Sequence, residues 1–416
     1  MPIIENCPEL GEQSQMRDWS LAGGQRLCPL EETWARVAPH LATAGITRVA
    51  DITGLDVLGV PVYTAVRPNA PTLAITQGKG LTPLAAKISA VMEAFEFHHA
   101  ESISLPTHHA PARDLPHHLL AGLPTPPGQT LPTAATPLDW VQGLDLHTGI
   151  PTYVPLEACQ LVSQSASQPV SPERLKPPLQ TQSAIRNPQS AFTQSTNGLA
   201  AGNHPLEAIR HALCELLERD ALAEWRQKLG RERLRVVDWA TVDDETCQNL
   251  REQLARAGAT AVIWDMRGRW PLPTFGCVLY EMQAQLGWQS VGLFHGFGAH
   301  PHPATALLRA LTEAVQSRLA FISGTRDDFF RVDYQLAQAD YVAAQWRKLL
   351  AAAESIPWQA IPNQHTGYLD QDIDNLLAHL PTAVWVNLTQ PAIGIPVGRL
   401  LIPHLRVDLH GVKGNQ

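Results

Sequence analysis

The stretch Pro205-Leu-Glu-Ala-Ile-Arg-His-Ala-Leu-Cys-Glu-Leu-Leu-Glu-Arg-Asp220 decides how the remainder of the sequence is interpreted. It begins with Pro and is rich in Ala and Leu, which predicts a helix from Pro205 to about Leu229. Residues three or four positions apart lie on one face of a helix. One face therefore carries a row of polar side chains among apolar neighbours: Glu207, His211, Glu215 and Glu218.

Two other predicted helices repeat this arrangement. Thr82-Pro83 is typical of a helix start, and that helix runs to about Ala100. The other runs from Pro303 to about Ile322. Their polar rows are Ser89, Glu93 and Glu96 on the first helix and Arg309, Glu313 and Gln316 on the second. Each of the three helices follows a glycine-bearing segment that we expect to be a loop: Gly78-Lys79-Gly80, Asn197–Asn203 and His295–His300.

The polar rows are open to two interpretations. They could be the solvated faces of ordinary amphipathic helices, but such faces are usually rich in Lys and these helices contain hardly any. Alternatively, the glutamates meet in space, and a buried pool of carboxylates needs cations. Mg²⁺ prefers oxygen ligands and is usually shared with phosphates. Arg219, Arg309 and Lys79 would then face the phosphate charge.

Composition excludes several classes of protein. The chain has 416 residues, 44% of them hydrophobic, and a net charge of −8, which argues against a broad nucleic-acid-binding surface. No apolar run reaches the roughly 18 residues of a membrane helix, and no signal peptide is recognised, so we expect a cytoplasmic protein. The six Cys form no C-x-x-C pair, which argues against a zinc ribbon or disulfide framework.

Other segments favour an α+β fold. Strand-like stretches mix with helices in no strict βαβ order. We expect strands near residues 45–53, 60–68, 73–76, 140–154, 260–265, 274–280, 383–388 and 397–403, and further helices near 29–41, 242–257 and 334–353. Residues 104–135 are predicted to be irregular, residues 161–195 to form a long Ser/Gln/Pro-rich loop, and the paired histidines (His98-His99, His108-His109, His117-His118) to lie at the surface.

In combination and in this order, the motifs resemble those of the YcaO superfamily. They are Gln77-Gly-Lys-Gly-Leu-Thr82, Ser89-Ala-Val-Met-Glu93-Ala-Phe-Glu96, Asn197-Gly-Leu-Ala-Ala-Gly-Asn203, Glu207-Ala208, Glu215-Leu-Leu-Glu-Arg-Asp-Ala221 and Arg309-Ala-Leu-Thr-Glu-Ala314. The opening Gly45-Ile-Thr-Arg-Val-Ala-Asp51 is similar to the branch whose members accompany a TfuA-type partner. The resemblance implies mixed sheets with long helices packed around a central ATP/Mg²⁺ site. It divides the chain into a lead-in at 1–44, a YcaO domain at 45–405 and a short tail at 406–416.

The resemblance also implies an activity. Such enzymes use ATP and Mg²⁺ to phosphorylate the oxygen of a peptide backbone amide in a precursor peptide, after which a nucleophile attacks the carbon. By similarity, Mg²⁺ would be held by Glu93, Glu96, Glu207, Glu215 and Glu218. ATP would be bound by Lys79, Ser89, Asn203, Arg219, Arg309 and Glu313, with Glu218, Arg219 and Arg309 as the catalytic residues. A TfuA-like partner is expected, neither nucleic acid nor a membrane is, and a homodimer is left open.

The sequence leaves three functions open: thioamide formation, azoline formation and a non-catalytic role. A sulfide nucleophile gives a thioamide, whereas a neighbouring Cys, Ser or Thr side chain gives an azoline ring. A non-catalytic accessory or scaffold protein could retain the same fold. Ala200 stands where some members carry Ser, and Ile402-Pro-His-Leu405 replaces an expected Pro-Gly-Leu-Glu. The ending His410–Gln416 lacks the Pro-rich tail of many cyclodehydrating members, which favours thioamide formation.

Overall fold

The structure is a computed structural model that describes residues 10, 16–17, 19–21, 24–126, 128–162, 190–281, 292–325 and 340–406. Within these ranges the helices are α1 (Leu30–Val37), α2 (Pro83–Glu101), α3 (Leu156–Cys159), α4 (Pro205–Lys228), α5 (Glu245–Arg256), α6 (Pro303–Ser323), α7 (Asp340–Ala351) and α8 (Leu369–Leu377). The three helices with polar rows are therefore confirmed as α2, α4 and α6. The predicted loop lies largely outside the described ranges at 163–189, and so do residues 334–339 of the predicted helix and 407–416 of the tail.

The strands form four sheets in the described part of the chain. Their bounds are β1 (Trp19–Leu21), β2 (Gly24–Arg26), β3 (Arg48–Asp51), β4 (Val62–Val66), β5 (Ile75–Lys79), β6 (His108–Pro111), β7 (Pro137–Asp145), β8 (Pro151–Pro155), β9 (Leu199–Ala201), β10 (Arg235–Val237), β11 (Ala259–Asp265), β12 (Thr274–Glu281), β13 (Phe294–Ala299), β14 (Glu354–Ile356), β15 (Val384–Asn387) and β16 (Val397–Leu401). Helices and several separate sheets make this an α+β fold, as the sequence predicts.

Three of the sheets carry the helices that matter for the site. The order β3-β4-β5 is antiparallel, and α2 packs on β4 and β5. The order β6-β7-β15-β16-β9, with β8 paired to β7, supports α4 through β16 and β9. The order β13-β12-β11-β10-β14 is antiparallel except for the parallel pair β10–β14, and α6 packs on β13 and β12. The β1–β2 ribbon stands apart from these sheets.

Local sequence explains where the two central helices start. The Thr82 hydroxyl accepts a hydrogen bond from the backbone N–H of Ala85, as an N-cap residue does, and Pro83 occupies the first helical position. His204 caps α4 in the same way by accepting from the N–H of Leu206. The start of each helix is thus fixed within a residue, which also fixes the direction in which its polar row points.

All three predicted glycine-bearing loops contain strand residues, and within Asn197–Asn203 these are Leu199–Ala201 of β9. Gly78 and Lys79 lie in β5, and His295–Ala299 lies in β13. A methyl group at Gly296 would lie 2.2 Å from the carbonyl oxygen of Ala310 and 2.2 Å from the backbone nitrogen of Ala314. The glycines therefore allow a helix backbone to lie directly on a strand, and loop formation is not their purpose.

Smaller expectations also need correction. The irregular segment 104–135 contains a strand, β6, and the short helix α8 has no counterpart among the predicted elements. His99 is fully buried, with its Nδ1 at 2.7 Å from the carbonyl oxygen of Phe95, whereas His108, His109, His117 and His118 are exposed as expected. Burial lowers the pKa of His99 to about 4, so that this side chain stays neutral in the core.

The described part of the chain contains five cysteines, and all five are free and buried: Cys28, Cys159, Cys214, Cys247 and Cys277. Burial raises the pKa of each thiol. Among the helices of the same described ranges, none is both long and apolar enough to span a bilayer.

We expect Gly296→Ala to lower the free energy of unfolding by about 1–3 kcal/mol, because the added methyl overlaps the backbone of α6 and no side chain can move aside. Urea denaturation measures this. Gly54→Ala is the matched control, since a methyl there meets nothing within 4 Å, and it should change stability by less than about 0.5 kcal/mol. Equal stabilities of the two variants would contradict the close packing of α6 on β13.

Candidate functional site

Helices α2 and α4 bring glutamates together by anchoring each one to a backbone N–H of a neighbouring strand or loop. Each anchored carboxylate accepts one hydrogen bond across a long sequence separation. The nitrogen-to-oxygen distances are 3.1 Å from Gln77 to Glu93, 2.8 Å from Ala201 to Glu96 and 3.1 Å from Gly198 to Glu215. The side chains of the two polar rows are therefore held in place by the sheets on which their helices pack.

Electrostatic interactions show that these carboxylates lie near one another. Burial raises the pKa of Glu96 well above its ordinary value, and the charges of Glu93 and Glu215 raise it further. Burial also raises the pKa of Glu215, although Arg219 opposes the shift. Like charges in a site that excludes water cannot all remain ionised without compensation. Glu93, Glu96 and Glu215 thus form one acidic cluster that attracts cations.

Glu218 and Arg219 extend this cluster towards α6. Glu218 is 4% exposed and lies 3.6 Å from the Arg219 guanidinium. Burial raises the pKa of Glu218 to about 7, with Arg219 lowering it and Glu313 raising it. Arg219 keeps its charge, since the surrounding glutamates raise its pKa despite burial. A carboxyl that titrates near neutrality inside a cluster of fixed charges is typical of functional sites.

Lys79 and Glu313 form an ion pair between β5 and α6. The ammonium nitrogen of Lys79 lies 2.8 Å from Glu313 Oε2. Burial by itself would raise the pKa of Glu313, but Lys79 and Arg219 outweigh it and lower the pKa. Glu313 is therefore ionised, and its charge balances two cations that we expect near phosphate.

Arg309 is oriented by His211, which is absent from the motifs that resemble the YcaO superfamily. Its Nη2 lies 3.0 Å from His211 Nδ1. Burial, followed by the charge of Arg309, lowers the pKa of His211 well below its ordinary value, so the imidazole is neutral and accepts the hydrogen bond. His211 occupies the same helical face as Glu207, Glu215 and Glu218. This spacing is the feature of the sequence that indicates a place for His211 in the site.

Glu207 stands apart from the acidic cluster. Its Oε2 accepts from the backbone N–H of Asn203 at 2.7 Å and from Asn203 Nδ2 at 3.0 Å, and its Oε1 accepts from Leu27 N at 2.5 Å. Eight residues separate it from Glu215, which is about 12 Å along a helix axis. The structure therefore gives Glu207 and Asn203 a role in holding the lead-in segment, and their predicted contacts with Mg²⁺ and ATP stay predictions.

Ser89 lies one turn before Glu93 on α2 and is half-buried. A Cβ atom added at Gly78 would lie only 2.6 Å from the backbone carbonyl carbon of Ser89. This close approach places the start of the α2 row beside β5, at the residue next to Gln77, whose N–H anchors Glu93. Ser89 is thus brought to the edge of the site.

The residues fit a metal that is shared with a phosphate chain. No group of three or more His, Cys, Asp or Glu side chains among the described residues is arranged to hold a metal ion alone. Mg²⁺ commonly takes only one or two carboxylates and completes its shell with phosphate oxygens and water. Arg219 Nε is buried without a hydrogen-bond partner in this part of the chain, which suits an anionic ligand.

A family model described as the ATP- and Mg²⁺-binding YcaO cyclodehydratase matches residues 77–406. The chain belongs to the YcaO family. ATP and Mg²⁺ are therefore its cofactors, in agreement with the expectation from the sequence. The family is one of ATP-dependent peptide-modifying enzymes.

Relatives of known sequence and structure agree with this assignment. A Rhizobium leguminosarum bv. trifolii protein named for its place in the tfuA 3′ region is 34% identical over 91% of this chain and 88% of the relative. A Methanothermobacter thermautotrophicus protein is 29% identical over 90% of this chain and 94% of its own length.

Two solved structures share the fold. YcaO from Methanopyrus kandleri bound with AMPPCP and Mg²⁺ superimposes with a TM-score of 0.70 at 22% identity, over 96% of this chain and 99% of that one. A heterocyclase in complex with substrate and cofactor gives 0.74 at 22% identity, over 97% of this chain and 55% of that one. These matches confirm the YcaO-like α+β fold.

The raised pKa of Glu218 predicts a pH-dependent affinity for Mg²⁺-ATP, because a carboxyl must be ionised to bind a metal. We expect the apparent affinity to increase as the pH rises through about 7 and to release a proton on binding. Isothermal titration calorimetry in buffers of different ionisation enthalpy measures both effects. Glu218→Gln should lose the pH dependence, whereas exposed Glu252→Gln should retain it; the same profile in Glu218→Gln and wild type would contradict this assignment.

Glu218 also influences stability. Its folded-state pKa of about 7 exceeds the ordinary value of 4.5. The contribution of Glu218 to the free energy of unfolding is therefore fully present below pH 4.5 and is lost as the pH rises towards 7. We therefore expect the free energy of unfolding of Glu218→Gln, measured relative to that of wild type, to be higher at pH 8 than at pH 5. Urea denaturation of the metal-free proteins at both pH values measures this gain, and a constant difference between the variants would refute it.

Proposed function

We propose that the chain phosphorylates the oxygen of a peptide backbone amide and that a sulfide equivalent then displaces phosphate to leave a thioamide. The observation that carries the proposal is the cluster of buried glutamates from α2 and α4, in which Glu96 lies near Glu215 and Glu215 lies near Arg219, in a chain of an ATP- and Mg²⁺-binding family. An amide carbon is a poor electrophile, and phosphorylation of its oxygen turns that oxygen into a leaving group.

The residues of the site would divide this work. Mg²⁺ bound between Glu93, Glu96, Glu215, Glu218 and the phosphate oxygens would neutralise charge and polarise the terminal phosphate. Arg219 and Arg309 would stabilise the charge that develops during phosphoryl transfer. Lys79, held by Glu313, would bind a phosphate oxygen. Burial makes these interactions stronger than they would be in water.

Thioamide formation is preferred as the outcome because of two observations about the sequence. The opening residues resemble the TfuA-associated branch, and the Rhizobium relative is named for the tfuA 3′ region. We therefore propose a TfuA-like protein as the partner that delivers sulfur, and a ribosomally made precursor peptide as the substrate.

Azoline formation is the second candidate. The family model is described as a cyclodehydratase, and in that reaction a neighbouring Cys, Ser or Thr side chain of the substrate would attack the activated carbon. Activation of the amide oxygen is the same in both candidates, so the residues of the acidic cluster would have the same roles. The product is what distinguishes them.

Mass spectrometry of candidate precursor peptides separates these products. The peptide is incubated with the protein, Mg²⁺-ATP, sulfide and a TfuA-like protein. In both reactions phosphate leaves the activated amide. From atomic masses, exchange of oxygen for sulfur adds about 16 Da to the peptide, whereas ring formation removes one water molecule, about 18 Da. We expect the mass gain, and only when sulfide is present. A loss of water that does not depend on sulfide would establish the azoline reaction instead.

ATP hydrolysis tests the catalytic site independently of the product. Glu93→Gln should reduce Mg²⁺-dependent ATP turnover about a hundredfold or more, because it removes a charge that the site directs at the metal. Glu252→Gln, whose side chain is 66% exposed on α5, is the matched control and should hydrolyse ATP like wild type. Binding of no nucleotide by the wild-type protein would instead indicate an accessory or scaffold protein.

A further inference from the structure

Arg399 is a buried cation whose hydrogen-bonding capacity is largely unused. It lies in the middle of β16, is 2% exposed, and donates from Nη2 to the carbonyl oxygen of Ser195 at 2.5 Å. Its Nε and Nη1 are buried and find no hydrogen-bond partner among the described residues. A buried charge left this way costs free energy, which an anionic ligand would recover.

A small cavity adjoins this guanidinium. Its volume is about 30 Å³, room for one or two water molecules. Its walls include Arg399, Thr193, Phe192, Leu216, Leu400 and Ile402. The hydroxyl of Thr193 is also buried without a partner in the described part of the chain. The cavity therefore combines one positive charge and one hydroxyl with a largely apolar wall.

The cavity is lined by chain neighbours of the residues that hold Glu215 in the acidic cluster. Leu216, in its wall, follows Glu215 in α4, and Asn197, also in its wall, precedes the Gly198 whose N–H anchors Glu215. Arg399 pairs with Leu199 across the β16–β9 ladder. The charge of Arg399 also lowers the pKa of Glu215. A ligand bound beside Arg399 would thus be adjacent to the place where we expect the amide to be activated.

Two titratable side chains, Cys159 and Glu215, interact with Arg399. Burial raises the pKa of Cys159 to about 12, so its thiol is uncharged. Glu215 is anchored by Gly198 and faces the acidic cluster, where its own pKa is raised by burial. Burial lowers the pKa of Arg399, but an arginine stays protonated in proteins. Arg399 is the one charged side chain among the described residues that line the cavity, so this wall is positively charged.

We propose that the Arg399 cavity binds a small monovalent anion and that its ligand in the reaction is hydrosulfide. The cavity is too small for a side chain, and a phosphate group has four oxygens that one guanidinium and one hydroxyl would leave unsatisfied. A compact, polarisable monoanion needs few donors and tolerates an apolar wall. The identity of this anion rests on the proposed function, whereas its binding does not.

The step that follows is balanced. The sulfur of HS⁻ attacks the carbon of the phosphorylated amide, a carbon–sulfur bond forms, and the carbon–oxygen bond breaks with loss of phosphate. The original amide oxygen leaves within that phosphate, and the proton of HS⁻ is transferred to it as hydrogen phosphate. The sum is amide, ATP and HS⁻ giving thioamide, ADP and hydrogen phosphate, with no change of oxidation state.

Three proteins test the site: Arg399→Met, Arg399→Lys and the exposed control Arg256→Met. We expect Arg399→Met to raise the sulfide concentration at half-maximal velocity about tenfold or more, the effect of losing a charge-assisted hydrogen bond, with the KM for ATP little changed. Arg399→Lys should recover part of the loss because it restores the charge. An unchanged sulfide dependence in Arg399→Met would overturn the proposal.

Binding is also measured without activity. Sodium hydrosulfide should raise the Tm of wild type more than sodium gluconate, whose anion is too large for the cavity, does at equal ionic strength, and should lose this excess in Arg399→Met but not in Arg256→Met. In crystals soaked in bromide, an anomalous peak should lie beside Arg399 Nε. A peak there without any hydrosulfide effect, or no peak and no effect, would overturn the proposal. If wild type binds hydrosulfide at Arg399 yet makes no thioamide, the proposed function fails and the anion site stands.

Discussion

Burial of ionisable side chains between α2, α4 and α6 is the constraint on which the rest of the structure depends. Carboxylates such as Glu96 and Glu218 are strongly desolvated, and each is close to others of the same charge. Such a group is tolerated only where hydrogen bonds, fixed cations or bound metal compensate it. The backbone N–H donors of β5 and of the 198–201 segment, together with Arg219 and Lys79, supply part of that compensation. The remainder is what Mg²⁺ and ATP would supply at the proposed site.

The sheets exist in this protein as supports that hold three helices at fixed mutual positions. Glycines in β5 and β13 remove the side chains that would separate strand from helix, so that α2 and α6 lie directly on them. Gln316 then reaches the carbonyl oxygen of Gln77 at 2.6 Å and ties α6 to β5. Distances within the acidic cluster are consequently set by backbone packing, which is stiffer than any side-chain contact.

The sequence predicts the parts of this arrangement that depend on local periodicity. Thr82-Pro83 and Pro205 mark helix starts that the structure reproduces, and the spacing of Glu215 and Glu218 places both on the buried face. It fails where tertiary contacts decide. The local sequence around Gly296 does not distinguish a strand from a loop, because the packing of α6 on this residue decides between them. The hydrogen bonds of Glu207 to Leu27, and the missing partners of Arg399, also depend on distant parts of the chain.

The burial of the thiols has a consequence for a protein that would work beside reduced sulfur. Thiolates, and not thiols, undergo oxidation and exchange, so Cys159 and Cys214, with pKa values raised to about 12 and about 11, are poorly reactive. Polysulfides that accompany any sulfide pool would therefore find no receptive sulfur among the described cysteines. The fold is in this respect chemically inert towards the reagent that its site is proposed to consume, and persulfide adducts should not accumulate on its core.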